Sequence, residues 1–481
     1  MRFFAYLAVA AAALLPPSAF AADISQKTAD EIQSRIAAYF PELRKKGVIH
    51  LSPAGDHYEM KLDIDPIILS FERPLRISEL TPIIENLVPR DDGLWAISRQ
   101  AKDGWFIGDY FVGDEPSHFQ IHAPDLSSDG VFDPEVGMIR NFNFLIRDFE
   151  LSNQSHTSAT QMSVKDYHGR IDIQNLRNGH GDINGDFTLN GLKETLTVFG
   201  VMTMRAAVTG RSLKARTEFH DVDLTGVSKI LKFGLARLAS GDRTLTSIQS
   251  KELASILRDH IPFAAGFAAS GVIDDAAVTI NNKSFTAGKV QYGLALQNLG
   301  QDESLSMGLE LSEIASQPGV LPRGYEAALP KQIGYHVTMD GLKVVAAIRA
   351  QREGQNSGQS QAEIKKRVDD ALSPTGRMTM HIDNTFARSD YYDVSVKGVM
   401  YMEPKQSREP VLDITVTARD LDKTVAFLQA NTNSVPQFGQ ACFMLLMAKG
   451  FGKQEKDGTM TWHIQAGANR KVLINGREIR H

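Results

Sequence analysis

Apolar and polar residues alternate with a period of two through almost the whole chain, which restricts the fold to sheets buried on one face. Tyr58, Met60, Leu62 and Ile64 share one side, and Leu213, Ala215, Thr217 and Phe219 another. The pattern returns in Leu305, Met307, Leu309 and Leu311, in Met378, Met380 and Ile382, and in Met460, Trp462 and Ile464. Such strands belong to antiparallel sheets, because parallel strands are covered on both faces and read as unbroken apolar runs. Phe142, Phe144 and Ile146 are followed by Phe149 and Leu151, so the apolar parity switches near Arg147-Asp148. A β-bulge with a local bend is expected there.

Asx-Gly pairs punctuate this pattern at Asp92-Gly93, Asp103-Gly104, Asp129-Gly130, Asn178-Gly179, Asn184-Gly185, Asn190-Gly191, Asp340-Gly341, Asp457-Gly458 and Asn475-Gly476. These residues tolerate the positive φ angles of two-residue hairpins. Asn475-Gly476 separates Val472-Leu473-Ile474 from Arg477-Glu478-Ile479, so the chain is expected to end in a hairpin.

Helical spacing appears in three places. Ser25 or Thr28 caps a first helix carrying Ile32, Ile36 and Tyr39, which Pro41 stops. The largest block runs over about 226–260, with Val227, Ile230, Leu231, Leu235 and Leu238 before a Gly241-Asp242 break and Leu253, Ile256 and Leu257 after it. The third covers about 422–449. The run Gly354–Gln361 is either a domain joint or a loop tip before a helix over 362–372. Val222–Leu231, Val337–Val345 and Val416–Val425 resemble one another: a strand, an acidic or hydroxyl residue suited to capping, then a helix. They are either a duplicated unit or three ordinary strand-to-helix junctions.

Residues 1–21 read as a cleavable secretory signal. Arg2 is the positive end, Phe3–Leu15 the apolar stretch, Pro16-Pro17 the helix break and Ala19-Phe20-Ala21 the small-x-small cleavage site. The mature chain is expected to start at Ala22 and to work in the periplasm. The expected organisation is a signal peptide over 1–21, an N-terminal helix with antiparallel β region over 22–225 and a helical segment over 226–270. A second β region over 271–353, a linker with a short helix over 354–375 and a C-terminal β region over 376–481 follow. The last contains the helix 422–449 and the terminal hairpin.

Composition removes several classes of function. A formal charge of −5 on 481 residues leaves no basic footprint for nucleic acid and no polybasic run for anionic headgroups. The longest apolar runs after the signal, Pro262–Ile273 and Ala441–Ala448, are too short to span a bilayer, so no transmembrane segment is expected in the mature chain. The single cysteine, Cys442, lies in an apolar run and reads as a buried, inert thiol that no intrachain partner can oxidise.

Chemistry-bearing motifs are missing: no nucleophile elbow, zincin helix, phosphate loop or paired cysteines occur. The chain is therefore expected not to be an enzyme, and no cofactor or metal is expected. Asp182, Asn184 and Asp186 have the alternate spacing of a calcium loop, but Phe187 replaces its sixth-position glycine and Lys193 its closing carboxylate. That segment reads as a hairpin with polar residues. His118 and His122 alternate with Phe119 and Ile121 between Pro116 and Pro124, which reads as a strand. On a strand the two rings stand about 13 Å apart at ~3.3 Å per residue, too far to share an ion.

The signal, the long alternating strands, the Asx-Gly turns, the helices that follow strands and the Val472–Gly476 hairpin together resemble large envelope proteins of Gram-negative, alphaproteobacterial type, distantly similar to the AsmA-like and YdgA-like β-rich families. The resemblance implies a curved antiparallel sheet with an apolar concave face that handles lipid or assists outer-membrane biogenesis, and it brings no catalytic residues. One departure is that AsmA-like proteins are membrane-tethered and longer, whereas this signal carries a cleavage site.

The expected fold is α+β, mostly β, with bent antiparallel sheets and helices packed on or capping the concave face. The expected function is non-enzymatic binding or shuttling of a lipid or other apolar ligand in envelope maintenance. Phe142, Phe144, Ile146, Met378, Met380 and Ile382 would then line one apolar interior, with the helices near Val227–Leu238 and Val425–Met447 over it. The alternative is a structural or protein-interaction factor, with an envelope protein as its partner, in which the same residues form a packed core.

Overall fold

A computed structural model describes residues 24–39, 47–63, 75–112, 115–133, 138–200, 203–240, 246–402, 411–467 and 471–479. The signal over 1–21, with Ala22, Pro41, Ile64 and Gly241-Asp242, lies outside the described residues, as do the side chains of Ile36, Tyr39, Leu235 and Leu238. The protein is α+β and mostly β, 58% strand and 23% helix, with antiparallel sheet and eight helices among the described residues. It divides into two compact units, Met1–Ala264 and Ala265–His481.

The first unit opens with α1 (Gln26–Tyr39) and the short strands β1 (Ile49–Ala54), β2 (His57–Leu62), β3 (Leu75–Leu80) and β4 (Ile83–Pro89). Six long strands follow: β5 (Trp95–Val112), β6 (Glu115–Asp133), β7 (Met138–Gln154), β8 (Ser158–Arg177), β9 (His180–Val198) and β10 (Met204–Asp223). Then come α2 (Leu224–Ser240) and α3 (Ser247–His260). Pairing runs β1–β2–β4–β5–β6–β7–β8–β9–β10, and β3 pairs with the far half of β5. Ala29 and Ile32 of α1 close the main core over Tyr58, Met60, Leu62, Leu87, Trp95 and Phe132. At the other side of the unit, Val222 and Leu224 pack with Val227 of α2 against Ile173, Leu176 and Ile183, near the β8–β9 turn. Asp223 caps α2 by accepting from the Gly226 amide at 2.8 Å, and it also pairs with His260, which ends α3.

A single line of interruption crosses the six long strands. Pairing skips Asp103 in β5, Pro124 in β6, Asp148 in β7, Lys165 in β8, Gly191 in β9 and Arg211 in β10, each opposite the next. Asp103, Asp148 and Gly191, on alternate strands, hold positive φ of 56°, 50° and 65°. Each strand thus places one residue out of alternation at the same level, and its apolar parity flips there. One cluster joins Ile121 and Ala123 to Leu126, Ile146 to Phe149 and Leu151, Val164 to Tyr167, and Leu189 to Leu192. The switch near Arg147-Asp148 is therefore one step of a crease shared by the whole meander, reached without a shift of register.

The crease explains why several Asx-Gly pairs are not turns. Asp103-Gly104 and Asn190-Gly191 supply two of its three left-handed residues, and Asp129-Gly130 and Asn184-Gly185 lie inside β6 and β9. Asn178-Gly179, with φ of 51° and 79°, does make the β8–β9 hairpin turn.

The second unit holds β11 (Gly266–Ile280), β12 (Lys283–Gln297), β13 (Glu303–Ser312), β14 (Ala315–Ser316), α4 (Arg323–Ala328) and β15 (Gln332–Leu342). It continues with α5 (Val344–Asn356), α6 (Gln361–Leu372), β16 (Met378–Arg388), β17 (Asp393–Met402) and β18 (Val411–Arg419). α7 (Leu421–Ala430), α8 (Gln437–Phe451), β19 (Lys453–Gln454), β20 (Met460–Ala466), β21 (Val472–Ile474) and β22 (Arg477–Ile479) complete it. Pairing runs β11–β12–β13–β15–β16–β17–β18–β20–β21–β22, and Asn475-Gly476 turns the final hairpin with φ of 50° and 77°.

Helices of this unit gather at the two ends of its strands. The α5–α6 hairpin sits where β13 begins and β15 ends: Glu303, the first residue of β13, accepts from the amides of Val344 and Val345 and so caps α5. The Gly354–Gln361 run is the tip of that hairpin, and the absence of a side chain at Gly354 lets Ile364 of α6 come close. α4, α7 and α8 meet at the opposite end, where Phe427, Val435 and Phe438 pack with Ala328 and Tyr391. The indole of Trp462 donates to the Ala448 carbonyl at 2.7 Å, fixing α8 on the start of β20.

Candidate functional site

In the first unit, cross-strand register builds rows of side chains on the face that carries the core. One row runs Met60, Glu85, Arg99, Ser128, Phe144, Gly169, Phe187, Ala215, from β2 to β10. On either side of it run rows through Phe142 and through Ile146. Gly169 has a structural reason: the Phe144 ring occupies the space a β-carbon would need, 2.2 Å away. A ring laid over a cross-strand glycine covers exposed backbone with apolar surface. Phe142 and Phe144 are 6.1 Å apart between ring centres, and Phe144 meets Tyr167 edge-on at 4.9 Å. Ile146 is buried, but Phe142, Phe144, Tyr167, Phe187 and Leu189 remain half-buried.

Two charges interrupt this face. Glu85 stands between the buried Ile83 and Leu87 on β4, beside Met60, and is itself only 5% exposed. Arg99 approaches it to 4.0 Å, beyond hydrogen-bonding distance, and Glu85 Oε2 and Arg99 Nε have no hydrogen-bond partner. Burial pushes the Glu85 carboxyl up to about 7, against the opposing pull of Arg99. The same burial lowers the Arg99 guanidinium from its ordinary value. Unpartnered charges inside an apolar face are costly. Neither residue stood out in the sequence search, although each breaks its strand's alternation, Glu85 between Ile83 and Leu87 and Arg99 between Ile97 and Ala101.

The second unit carries an apolar face of its own. One row crosses eight strands as Ala269, Leu294, Met307, Val337, Ile382, Gly398, Ile414 and Ile464. The adjacent row is Phe267, Leu296, Leu305, Met339, Met380, Met400, Leu412 and Ala466. Every member is apolar and none is buried, and Leu294 is 39% exposed. Seven steps of ~4.8 Å make each row about 34 Å wide. Met378, Met380 and Ile382 thus share a face on β16, in a different unit from Phe142, Phe144 and Ile146 on β7. α8 reaches this sheet through Leu445 at the Ala418–Trp462 end, in a cluster that also takes in Ile464 of the first row, and Val227 of α2 packs in the first unit.

α8 itself is apolar around most of its circumference. Phe438 and Cys442 are buried, whereas Phe443, Met444, Leu446 and Met447 are 64%, 57%, 45% and 54% exposed. Isolated apolar side chains on a surface are ordinary, but a contiguous set on one helix marks a contact surface.

The remaining sequence candidates have local partners. His118 pairs with Asp109 at 3.0 Å, and His122 pairs with Asp103 at 2.8 Å while stacking on Trp105. Asp182, Asn184 and Asp186 lie within β9, and Asp182 accepts from the Asn175 side chain and the Asp221 amide. Among the described residues no group of three His, Cys, Asp or Glu could hold a metal ion, and no helix is long and apolar enough to cross a membrane. Comparison with protein-family models, curated proteins and solved structures finds no match.

Proposed function

We propose that this is a non-enzymatic periplasmic protein that binds or shuttles a lipid or other apolar ligand in the cell envelope. The observation that supports this most is the pair of apolar rows through Met380 and Ile382. They span eight strands without one buried member, while the helices of that unit collect at the strand ends. Apolar surface left in contact with water forgoes about 25 cal/mol per Å², so a ligand that covers such a face gains binding energy. The half-buried rings of Phe142, Phe144 and Tyr167 make a smaller surface of the same kind in the first unit.

α8 favours a second reading, in which the protein docks an envelope protein through Phe443, Met444 and Met447. One set of variants separates the two. Phe144→Asp and Met380→Asp are expected to stay folded by circular dichroism and to carry less co-purifying lipid by native mass spectrometry, while Met447→Asp keeps the lipid. Unfolding of both Asp variants would support a packed core instead. Loss of a co-purifying protein in Met447→Asp alone, with no lipid on the wild type, would favour the docking role.

A further inference from the structure

Within the apolar face of the first unit, the Glu85–Arg99 pair presents two charged groups with buried polar atoms that no described residue satisfies. Its surroundings are buried on one side and half-buried on the other. Met60, Ile83 and Leu87 are almost fully buried around Glu85, whereas along the sheet Ala101, Phe142 and Phe144 are half-buried. The Arg99 side chain keeps 14% of its surface. Arg99 is therefore the member of the pair that a ligand approaching over the rings would meet first.

The pair also defines what the approaching group must be. Arg99 Nε–H needs an acceptor, and Glu85 Oε2 needs a hydrogen-bonding partner. The 4.0 Å separation keeps the two from satisfying each other. A cationic headgroup would meet the guanidinium and be repelled. A phosphate monoester, as a dianion, carries more charge than the pair can neutralise. A carboxyl group fits: one oxygen accepts from Nε–H in the geometry that guanidinium groups favour, and one proton is shared between the ligand carboxyl and Glu85 Oε2. With Arg99 positive, two carboxylates and one shared proton, the assembly is neutral, as an apolar setting requires. Burial that drives the Glu85 carboxyl up to about 7 makes that proton available near neutral pH.

We infer that the Glu85–Arg99 pair seats the carboxyl group of a long-chain carboxylic acid whose hydrocarbon lies over Phe142 and Phe144. The inference rests on the apolar-ligand reading above and deepens it by naming the headgroup. Displacement of a fluorescent fatty-acid probe from the mature protein, by palmitate, hexadecanol and a zwitterionic lysophospholipid, tests it. Palmitate is expected to compete at least tenfold better than either of the others. Arg99→Met and the double variant Glu85→Leu/Arg99→Met are expected to abolish that preference while still binding hexadecanol. Equal competition by palmitate and hexadecanol in the wild type would overturn the inference and leave apolar binding standing, as would a palmitate preference that persists in the double variant. Failure of the probe and every competitor to bind the wild type would instead remove the apolar-ligand reading itself. The wild-type comparison decides the matter even where a variant fails to fold.

Discussion

Glu85 occupies a position where the alternation of β4 asks for an apolar side chain, and its ionisation is tied to stability. Its carboxyl is raised to about 7 in the folded protein, from 4.5 when freely solvated. The folded state therefore holds the proton more tightly, so this group's contribution is full below about 4.5 and falls away as pH rises towards 7. Relative to wild type, Glu85→Gln is expected to gain stability with rising pH, by up to on the order of 3 kcal/mol at pH 8. Urea melts at pH 5 and pH 8 check this, and an unchanged difference between the two would count against it. Asp223 behaves oppositely. Burial pushes it up, but the Gly226 amide and His260 outweigh that and hold it below its ordinary value, so its stabilisation is lost as acid protonates it. Both residues were visible as letters; what burial and partners do to them was not, because desolvation depends on side chains brought in from distant strands.

At the scale of elements, the first residue of one strand caps a helix 41 positions later. Glu303, only 2% exposed, accepts from the Gly300, Val344 and Val345 amides, taking the place of the cap that Lys343 does not supply. Glu303→Ala leaves the Val344 and Val345 amides at the start of α5 without their acceptor, and the expected cost is about 1–3 kcal/mol. It should appear as faster amide exchange in α5, with β16–β18 little changed; uniform protection across α5 would refute it. Strand identity was legible because alternation is local: Tyr58, Met60 and Leu62 are all buried, as their shared face implies. The flip at Arg147-Asp148 was legible too. Its extension through Asp103, Lys165 and Gly191 was not, since Asp103 and Gly191 read as parts of hairpin turns and Lys165 as an ordinary strand residue until register places each opposite the next.

At the scale of the whole molecule, the export reading makes its own prediction. Expressed in a Gram-negative host, the protein is expected in the periplasmic fraction with an N-terminus at Ala22, as Edman or mass-spectrometric sequencing would show. An intact Met1 held in the membrane would refute it. The sequence by itself determined the α+β, mostly β class, the antiparallel pairing, the helical blocks after β10, β15 and β18, and the terminal hairpin. Those depend on period, turn chemistry and capping, which act over a few residues. Tertiary structure alone decided that the Phe144 and Met380 faces belong to different units, that the helices of the second unit collect at the strand ends, and that Glu85 faces Arg99. Which strand lies beside which, and what covers a face, is the outcome of pairing between segments far apart in the chain, and no local pattern encodes it.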